Sequence, residues 1–412
     1  YRRTVIIYMA AQNSLGAKGA HRLDSMEIVA GVKRLNSRYD NVVLFIDDGA
    51  KPRIYQCSMN SPKPRLLKRY STDLDSTDPN TLLDVLQFTK AKFPSTKSYG
   101  LIFWSHGTGW IYDKTPKAKS SSYKGNVPES YGVDVGPDGN MAQDLNKYKM
   151  VPDGMDIYEI SDAIQKSGIH FDFIYWDACL MQCIETAYEL RKVTDYVVGC
   201  PVTTSGYGVY YTNTIPQAFF AYPANDANIS KLVDQYYYNA MDNPETKNLY
   251  SDLGCVISAI KTEHLEELAA KTALYLPYTD IVNRKSVDIS KIQRYLDYKH
   301  WLYPDYCDMQ SAMHNLLSES QYADWKTSLD KCVIYHKASD SIYVYTQSDW
   351  ELDWDWDDDK SFLSGDVYYR LDSEDLCGVS MFIPQNNYGN SYNLKFKYTE
   401  WYKDAGWEAT GW

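Results

Sequence analysis

The sequence FDFIYWDACLM, residues 171–181, is an apolar and aromatic run that breaks at Asp177 and Cys179. Helical periodicity follows over residues 180–191, so the stretch predicts a buried strand that leads into a helix, with Cys179 at the junction. In open α/β sheets, ligands bind beyond the carboxyl ends of the strands, and the N-terminus of a helix stabilises a thiolate. Cys179 is therefore a candidate nucleophile.

Similar apolar runs recur along the chain, separated by stretches of helical periodicity. Strands are predicted at about 4–9, 42–46, 99–104, 196–200 and 253–260, and helices at about 20–35, 79–93, 157–166 and 263–274. This alternation predicts an α/β fold with a mostly parallel central sheet and helices on both faces. The apolar run 377–384 is expected to join that sheet or to pack on it. We expect a catalytic domain over residues 1–260, with an irregular insertion at about 112–155. A C-terminal α+β region over residues 261–412 is expected to contribute a strand to the core of this domain or to pack on it.

The strand predicted at residues 99–104 also ends at a reactive side chain, His106. If the two strands are neighbours, the His106 imidazole and the Cys179 thiol lie side by side at one edge of the sheet. A cysteine nucleophile needs a histidine for its proton and backbone N–H groups for the oxyanion. Taken separately, each residue is more often structural, but their matching positions favour a catalytic pair. The N–H groups of Gly107 and Cys179 are the candidate oxyanion hole.

Composition excludes several classes of protein. The net charge of −12 over 412 residues argues against a nucleic-acid partner, which would require clustered Lys and Arg. No run approaches the roughly 18 to 20 apolar residues of a membrane helix. The eight cysteines are too few and too irregular for a disulfide scaffold or a zinc ribbon. Because the chain begins with Tyr1 rather than Met, we expect that a leader has been removed and that the protein is secreted or lies at the cell surface.

Four blocks of the sequence resemble the clostripain family of cysteine peptidases, relatives of caspases, gingipains and legumain. The blocks are TVIIYMAAQNSL at 4–15, YGLIFWSHGTGW at 99–110, FDFIYWDACLM with ETAYELR at 171–191, and GVSMFIP at 378–384. The resemblance implies a caspase-like α/β fold, a dyad of His106 and Cys179, and a contribution of Gly107 to the oxyanion hole. It also implies a protein or peptide substrate and chemistry that requires no metal. We expect a monomer.

The same resemblance implies cleavage after Arg or Lys, with Asp177 in the pocket that selects the basic side chain. A helix cap is the alternative role for Asp177, and the two remain open. The loop that often supplies a second acidic residue in the family is PVTTSGYGVYY here, residues 201–211, and it contains none. Ser205 and Tyr207 are the candidates from this loop for shaping the pocket.

The resemblance also implies proteolytic processing of the chain between the block that contains His106, residues 99–110, and the block that contains Cys179, residues 171–191. Residues 113–153 contain basic residues at which such cleavage could occur, namely Lys114, Lys117, Lys119, Lys124, Lys147 and Lys149. The sequence therefore predicts a zymogen that is activated by cleavage in this segment.

Some family members respond to calcium, and the acidic run DWELDWDWDDD at 349–359 superficially resembles a calcium loop. Counted from Asp353, the sixth position is Asp358 instead of Gly and the twelfth is Ser364 instead of Glu. A solvated acidic edge strand fits the pattern better. Three acidic residues of the insertion, Asp134, Asp138 and Asp144, are a weaker calcium alternative.

A rival function is a catalytically silent surface protein that binds peptides or glycans on a peptidase scaffold. The 38 tyrosines and 11 tryptophans are many, and exposed aromatic side chains serve such recognition. Ordinary packing is the alternative explanation for these residues. Because both His106 and Cys179 are present, the sequence favours the peptidase.

Overall fold

The fold is described from a computed structural model. It describes residues 1–61, 63–112, 130–136, 154–250, 253–296, 303–344, 368–372 and 374–412. The six lysines predicted as processing sites, Asp138, Asp144 and the acidic run 349–359 lie outside the described residues.

The strands follow the apolar runs of the sequence. In chain order they are β1 (Arg3–Ala10), β2 (Asp40–Asp47), β3 (Arg53–Cys57), β4 (Arg65–Arg69), β5 (Tyr99–Trp104), β6 (Phe171–Asp177), β7 (Thr194–Gly199), β8 (Val256–Lys261), β9 (Arg294–Leu296), β10 (Tyr306–Asp308), β11 (Val333–Ala338), β12 (Ser341–Tyr343), β13 (Tyr368–Arg370) and β14 (Ser380–Met381).

Nine of these strands form the central sheet, in the order β11-β8-β7-β6-β5-β1-β2-β3-β4. The five strands from β7 to β2 pair in parallel, whereas the strands outside them pair antiparallel. Every residue of β1 and β2 is buried, as expected for parallel strands that are covered on both faces. The predicted fold class is confirmed.

Helices connect the strands and cover the sheet. They are α1 (Ser14–Ala17), α2 (Ala20–Val32), α3 (Pro79–Lys92), α4 (Ile157–Ser167), α5 (Ile184–Leu190), α6 (Tyr211–Thr214), α7 (Asp226–Tyr237), α8 (Leu265–Tyr275), α9 (Met309–Leu316), α10 (Glu319–Cys332), α11 (Gly389–Phe396) and α12 (Glu400–Asp404). Short π-helical segments lie at Ile215–Phe219 and Tyr238–Asp242, and 3₁₀ segments at Lys247–Leu249, Thr262–His264, Leu276–Tyr278, Ile289–Lys291 and Trp407–Thr410.

Local sequence signals set the ends of the helices beside the core strands. The Asp78 side chain accepts a hydrogen bond from the Asn80 N–H, and Pro79 occupies the first turn of α3. Asp156 and Glu159 form a capping box at the start of α4, and Gly168 ends that helix with a φ of +67°. These predicted helices are thus confirmed.

The C-terminal region adds a strand to the central sheet, as expected, because β11 pairs with β8 at one edge. The apolar run 377–384 does not join the central sheet but packs on it, which is the second of the two expected placements. Only β14 is a strand, and it pairs with β10 in a separate three-stranded sheet. The Asp308 carboxylate accepts the N–H groups of Cys377 and Gly378, which removes two donors that a longer ladder would need. The run is nevertheless buried against the central sheet, where the Ser258 hydroxyl donates to the Gly378 carbonyl.

Within the described part of the chain, the helices are too short or too polar to span a membrane.

Candidate active site

Strands β5 and β6 lie side by side in parallel, and their ends are aligned. Trp104, the last residue of β5, pairs with Asp177, the last residue of β6. The Ser105 N–H continues the contact by donating to the Asp177 carbonyl at 3.4 Å. His106 and Cys179 each follow two residues after the paired positions, so both lie at the same edge of the sheet.

Gly107 brings the loops after the two strands into contact. A Cβ atom at this position would lie 2.9 Å from the Cys179 carbonyl oxygen and 2.6 Å from the Met181 sulfur. Such distances are shorter than a carbon atom tolerates. Glycine is therefore required here because the backbone of the histidine loop packs directly on the cysteine loop.

Cys179 lies in a turn, and the prediction that it opens a helix is wrong. Helix α5 begins only at Ile184, and Leu180 has a φ of +62°. The thiol instead contacts Thr204, whose N–H lies 3.3 Å and whose Oγ1 lies 3.4 Å from Sγ. Burial raises the pKa of the Cys179 thiol, and the two contacts with Thr204 oppose that rise.

His106 contacts a hydroxyl group in this structure. Its Nε2 lies 3.1 Å from the Ser14 Oγ, and the described contacts include no hydrogen bond between His106 and Cys179. Burial, together with the positive charge of Lys18, lowers the pKa of His106 to about 4. At neutral pH the imidazole is therefore uncharged and has a nitrogen that can accept a proton.

Ser14 is held in place by Asn13, which caps α1. The Asn13 Oδ1 accepts the N–H groups of Leu15 and Gly16, and its Nδ2 donates to the carbonyls of Ala10 and Val133. Sequence analysis did not single out Ser14. Its position at the carboxyl end of a strand beside β5 was the signal that could have identified Ser14 as a neighbour of the histidine.

The Asp177 carboxylate faces the loop at residues 201–211. Its Oδ1 accepts the Val209 N–H at 3.1 Å, and its Oδ2 accepts the Tyr211 hydroxyl at 2.7 Å. A Cβ at Gly208, which has a φ of +59°, would lie 2.8 Å from Oδ1. Because the residue that caps α5 is Cys183, the alternative of Asp177 as a helix cap is wrong.

Ser205 and Tyr207, the two residues predicted to shape the pocket, are held by contacts with each other and with residues 249–250. The Ser205 hydroxyl donates to the Leu249 carbonyl at 3.2 Å and accepts the Tyr207 N–H at 3.2 Å, so it stiffens the loop. The half-buried ring of Tyr207 packs against the Tyr250 ring, with centroids 6.4 Å apart.

Helix α2 places two further carboxylates beside Asp177. The Trp104 Nε1 donates to Asp24 at 2.5 Å, and the Tyr211 N–H donates to Glu27 at 3.0 Å. Sequence analysis missed both acids because α2 is far along the chain from the blocks that contain His106 and Cys179. Their spacing of three residues, which puts them on one face of a helix, was the available signal.

Among the described residues, no group of three or more His, Cys, Asp and Glu side chains has the arrangement of a metal site. Asp134 is buried and held by the chain itself, since its Oδ2 accepts the N–H and hydroxyl of Ser76 and its Oδ1 accepts the Gly136 N–H. The calcium alternative stays a prediction.

Solved structures with the same fold are cysteine proteases. A secreted C11 cysteine protease from Bacteroides thetaiotaomicron, in complex with an irreversible peptide inhibitor, is 24% identical with a TM-score of 0.74, covering 99% of this chain and 100% of that one. An inactive zymogen C11 protease from Parabacteroides distasonis is also 24% identical, with a TM-score of 0.72 and coverage of 98% and 97%. A second secreted C11 protease from B. thetaiotaomicron, iotapain, is 17% identical with a TM-score of 0.71, covering 98% and 99%. These likenesses establish the fold.

A comparison with curated proteins gave no match. The sequence profile of the clostripain family, by contrast, matches residues 7–128 and 141–412, and so extends over the blocks that contain His106 and Cys179 and over the C-terminal region. The chain therefore belongs to the clostripain family and is a cysteine protease of the C11 type.

Proposed function

We propose that the protein is a secreted endopeptidase whose nucleophile is Cys179 and whose general base is His106. The observation that carries this proposal is the alignment of the two residues, each two positions beyond the paired ends of β5 and β6. Export to the outside of the cell is supported by the secreted C11 protease from B. thetaiotaomicron.

The electrostatics favour a resting pair without charge. Burial raises the pKa of the Cys179 thiol and lowers the pKa of His106 to about 4. The proton therefore stays on the thiol until substrate binds. In the proposed mechanism, His106 accepts the thiol proton as Cys179 Sγ attacks the scissile carbonyl carbon. The N–H groups of Gly107 and Cys179 stabilise the oxyanion. His106 then gives the proton to the leaving amine, and water hydrolyses the thioester.

A side-chain rotation precedes catalysis in this proposal. In the structure the imidazole contacts Ser14 and the thiol contacts Thr204, so the pair must reorient before the proton can pass. Catalytic hydrogen bonds are commonly loose before substrate binds and tighten in the complex.

We further propose that the enzyme cleaves after Arg or Lys, with Asp177 in the pocket that binds the basic side chain. Activation by cleavage within residues 113–153 belongs to the same proposal. It is supported by the lysines of that segment and by the likeness to the inactive zymogen from P. distasonis.

Labelling with a thiol-directed acyl probe tests the mechanism. We expect the wild type to be labelled at Cys179, and Cys179→Ala and His106→Ala to lose peptidase activity by about 1000-fold or more. His170→Ala is the matched control, because this exposed histidine pairs with Asp195 at the opposite edge of the sheet and should leave activity unchanged. Gel analysis of the same samples reports processing, since a second band should appear in the wild type and be absent from Cys179→Ala. An unlabelled wild type, even after brief trypsin treatment, would instead indicate a binding protein on a peptidase scaffold.

A further inference from the structure

Tyr211 joins the carboxylates of two different elements. Its hydroxyl donates to the Asp177 Oδ2 at 2.7 Å, and its N–H donates to the Glu27 Oε2 at 3.0 Å. Asp177 ends β6, whereas Glu27 belongs to α2, so one residue of α6 brings both acids to the same place.

Asp24 lies one helical turn before Glu27 in α2 and is the third acid of the group. Its side chain is only 1% exposed. The Trp104 Nε1 donates to its Oδ2, but its Oδ1 has no hydrogen-bond partner. A buried carboxyl oxygen without a partner is costly, because it has lost water and gained nothing in return.

In the described part of the chain, no cation neutralises this group. Among the described residues, Asp24, Glu27 and Asp177 form no ion pair with a Lys, Arg or His side chain. The other titratable groups that interact with the three acids are phenols and thiols, and burial raises the pKa of each of them, so they stay neutral. They are Tyr131, Tyr175, Tyr210, Tyr211, Tyr250, Cys179 and Cys200. Three acids without a counterion in a protein interior require protons or an external cation.

We propose that Asp24 and Glu27 of helix α2 form the second acidic wall of the pocket that binds the side chain before the scissile bond. This inference rests on the proposed peptidase function. It explains why the loop at residues 201–211 contains no acid, since the charge that this loop lacks is provided by α2.

The exposure of the three acids fits an elongated basic side chain. Glu27 is half-buried and reachable from solvent, Asp177 is 8% exposed, and Asp24 is buried. In this proposal the substrate side chain passes Glu27, and its N–H donors bind the unpaired Oδ1 of Asp24. A guanidinium or ammonium group has this chemistry, whereas a neutral side chain of the same shape would supply no positive charge to the acids.

Matched peptide substrates test the inference. Two substrates would differ only before the scissile bond, one with arginine and the other with citrulline, its neutral analogue of nearly the same shape. The variants are Glu27→Gln and Asp24→Asn, in which the side-chain oxygen can still accept from Tyr211 or Trp104, so packing is retained. Asp195→Asn is the control, because it removes one charge at the opposite edge of the sheet. Active enzyme is counted by titrating Cys179 with the acyl probe.

We expect the wild type to prefer arginine, and the ratio of kcat/KM for arginine over citrulline to fall by about 30-fold or more in each α2 variant. The Asp195→Asn ratio should equal that of the wild type. Because Glu27 is half-exposed, its variant keeps the test valid even if Asp24→Asn fails to fold.

The possible failures differ from one another. A wild type that hydrolyses both substrates equally, or variants that keep the full preference for arginine, would overturn the role of α2 and leave the peptidase proposal intact. A protein without activity and without labelling of Cys179 would overturn both proposals.

Discussion

Thr204 contacts the candidate nucleophile through two of its atoms, the backbone N–H and Oγ1. Both contacts oppose the rise in the pKa of the Cys179 thiol that burial causes. Hydrogen bonds to a thiolate stabilise the charged form, so their loss should make the thiol a weaker acid.

The substitution Thr204→Val removes the Oγ1 contact and keeps the shape of the side chain. We expect the pKa of Cys179 to rise and its alkylation by iodoacetamide at pH 7 to slow several-fold. Thr203→Val is the control, since no described hydrogen bond links Thr203 to the sulfur. The measurement is the alkylation rate as a function of pH. A profile identical to that of the wild type would show that Oγ1 does not stabilise the thiolate.

At the level of single residues, sequence analysis predicted those that end the apolar strands, and it missed those that approach from elsewhere. His106 and Cys179 could be identified because each directly follows an apolar run. Thr204, Glu27 and Asp24 carry no such local signal. Their positions depend on how α2 and the loop after β7 pack at the sheet edge, which a single sequence does not specify.

At the scale of elements, the close contact at Gly107 sets the distance between the loops that follow β5 and β6. The atom that a Cβ would meet at 2.9 Å is a backbone oxygen, which cannot move aside as a flexible side chain could. The two loops would have to separate instead.

We therefore expect Gly107→Ala to lower the free energy of unfolding by about 1 to 3 kcal/mol and to reduce kcat/KM by about 100-fold or more. The physical reason is the displaced backbone at the candidate oxyanion hole. Thermal denaturation and peptide hydrolysis measure the two effects. Gly19→Ala is the control, because Gly19 has a φ of +81° but open space around its Cβ position, so backbone strain arises there without a clash. If both variants keep full activity, the contact at Gly107 does not support the site.

Helix α5 begins at Ile184, whereas the sequence predicts a helix from residue 180, and the hydrogen bonds of residues 180–183 explain the difference. Residues 180–183 have helical periodicity, but their backbone is bound by distant segments. The Leu180 N–H donates to Val202, the Gln182 N–H donates to Cys200, and the Gln182 carbonyl accepts the Ser380 N–H. These tertiary hydrogen bonds outweigh the local preference for helix. The strands of the parallel core were predicted well because their apolar runs are buried on both faces, whatever the details of the loops.

At the scale of the whole molecule, buried carboxyl groups link stability to pH. Asp47 and Glu185 are both fully or almost fully buried. Burial and the charge of Asp134 raise the pKa of Asp47 to about 9, and burial raises the pKa of Glu185 to about 8. In the unfolded chain both groups lose their protons near pH 4. Between about pH 4.5 and pH 8 the folded protein thus binds more protons than the unfolded chain.

Stability should therefore fall as pH rises through that window. Each group that stays protonated only in the folded state contributes up to about 1.4 kcal/mol per pH unit. We expect urea denaturation of Cys179→Ala, chosen to prevent self-digestion, to give a lower free energy of unfolding at pH 8 than at pH 5. Glu185→Gln keeps the acceptor for the Phe382 N–H and should show a shallower dependence. Stability that increases towards pH 8 would contradict this account.

The unpaired oxygen of Asp24 has a consequence for how recognition and acidity are linked. Burial and the neighbouring charges of Asp177 and Glu27 raise the pKa of Asp24 well above the usual value, so a bound proton is favoured there before substrate enters. A basic side chain that enters would displace this proton to the solvent. The pocket would then operate as an ion exchanger, in which one hydrogen ion leaves for each cationic residue accepted, and acidic surroundings would compete with the substrate for the same oxygen atom.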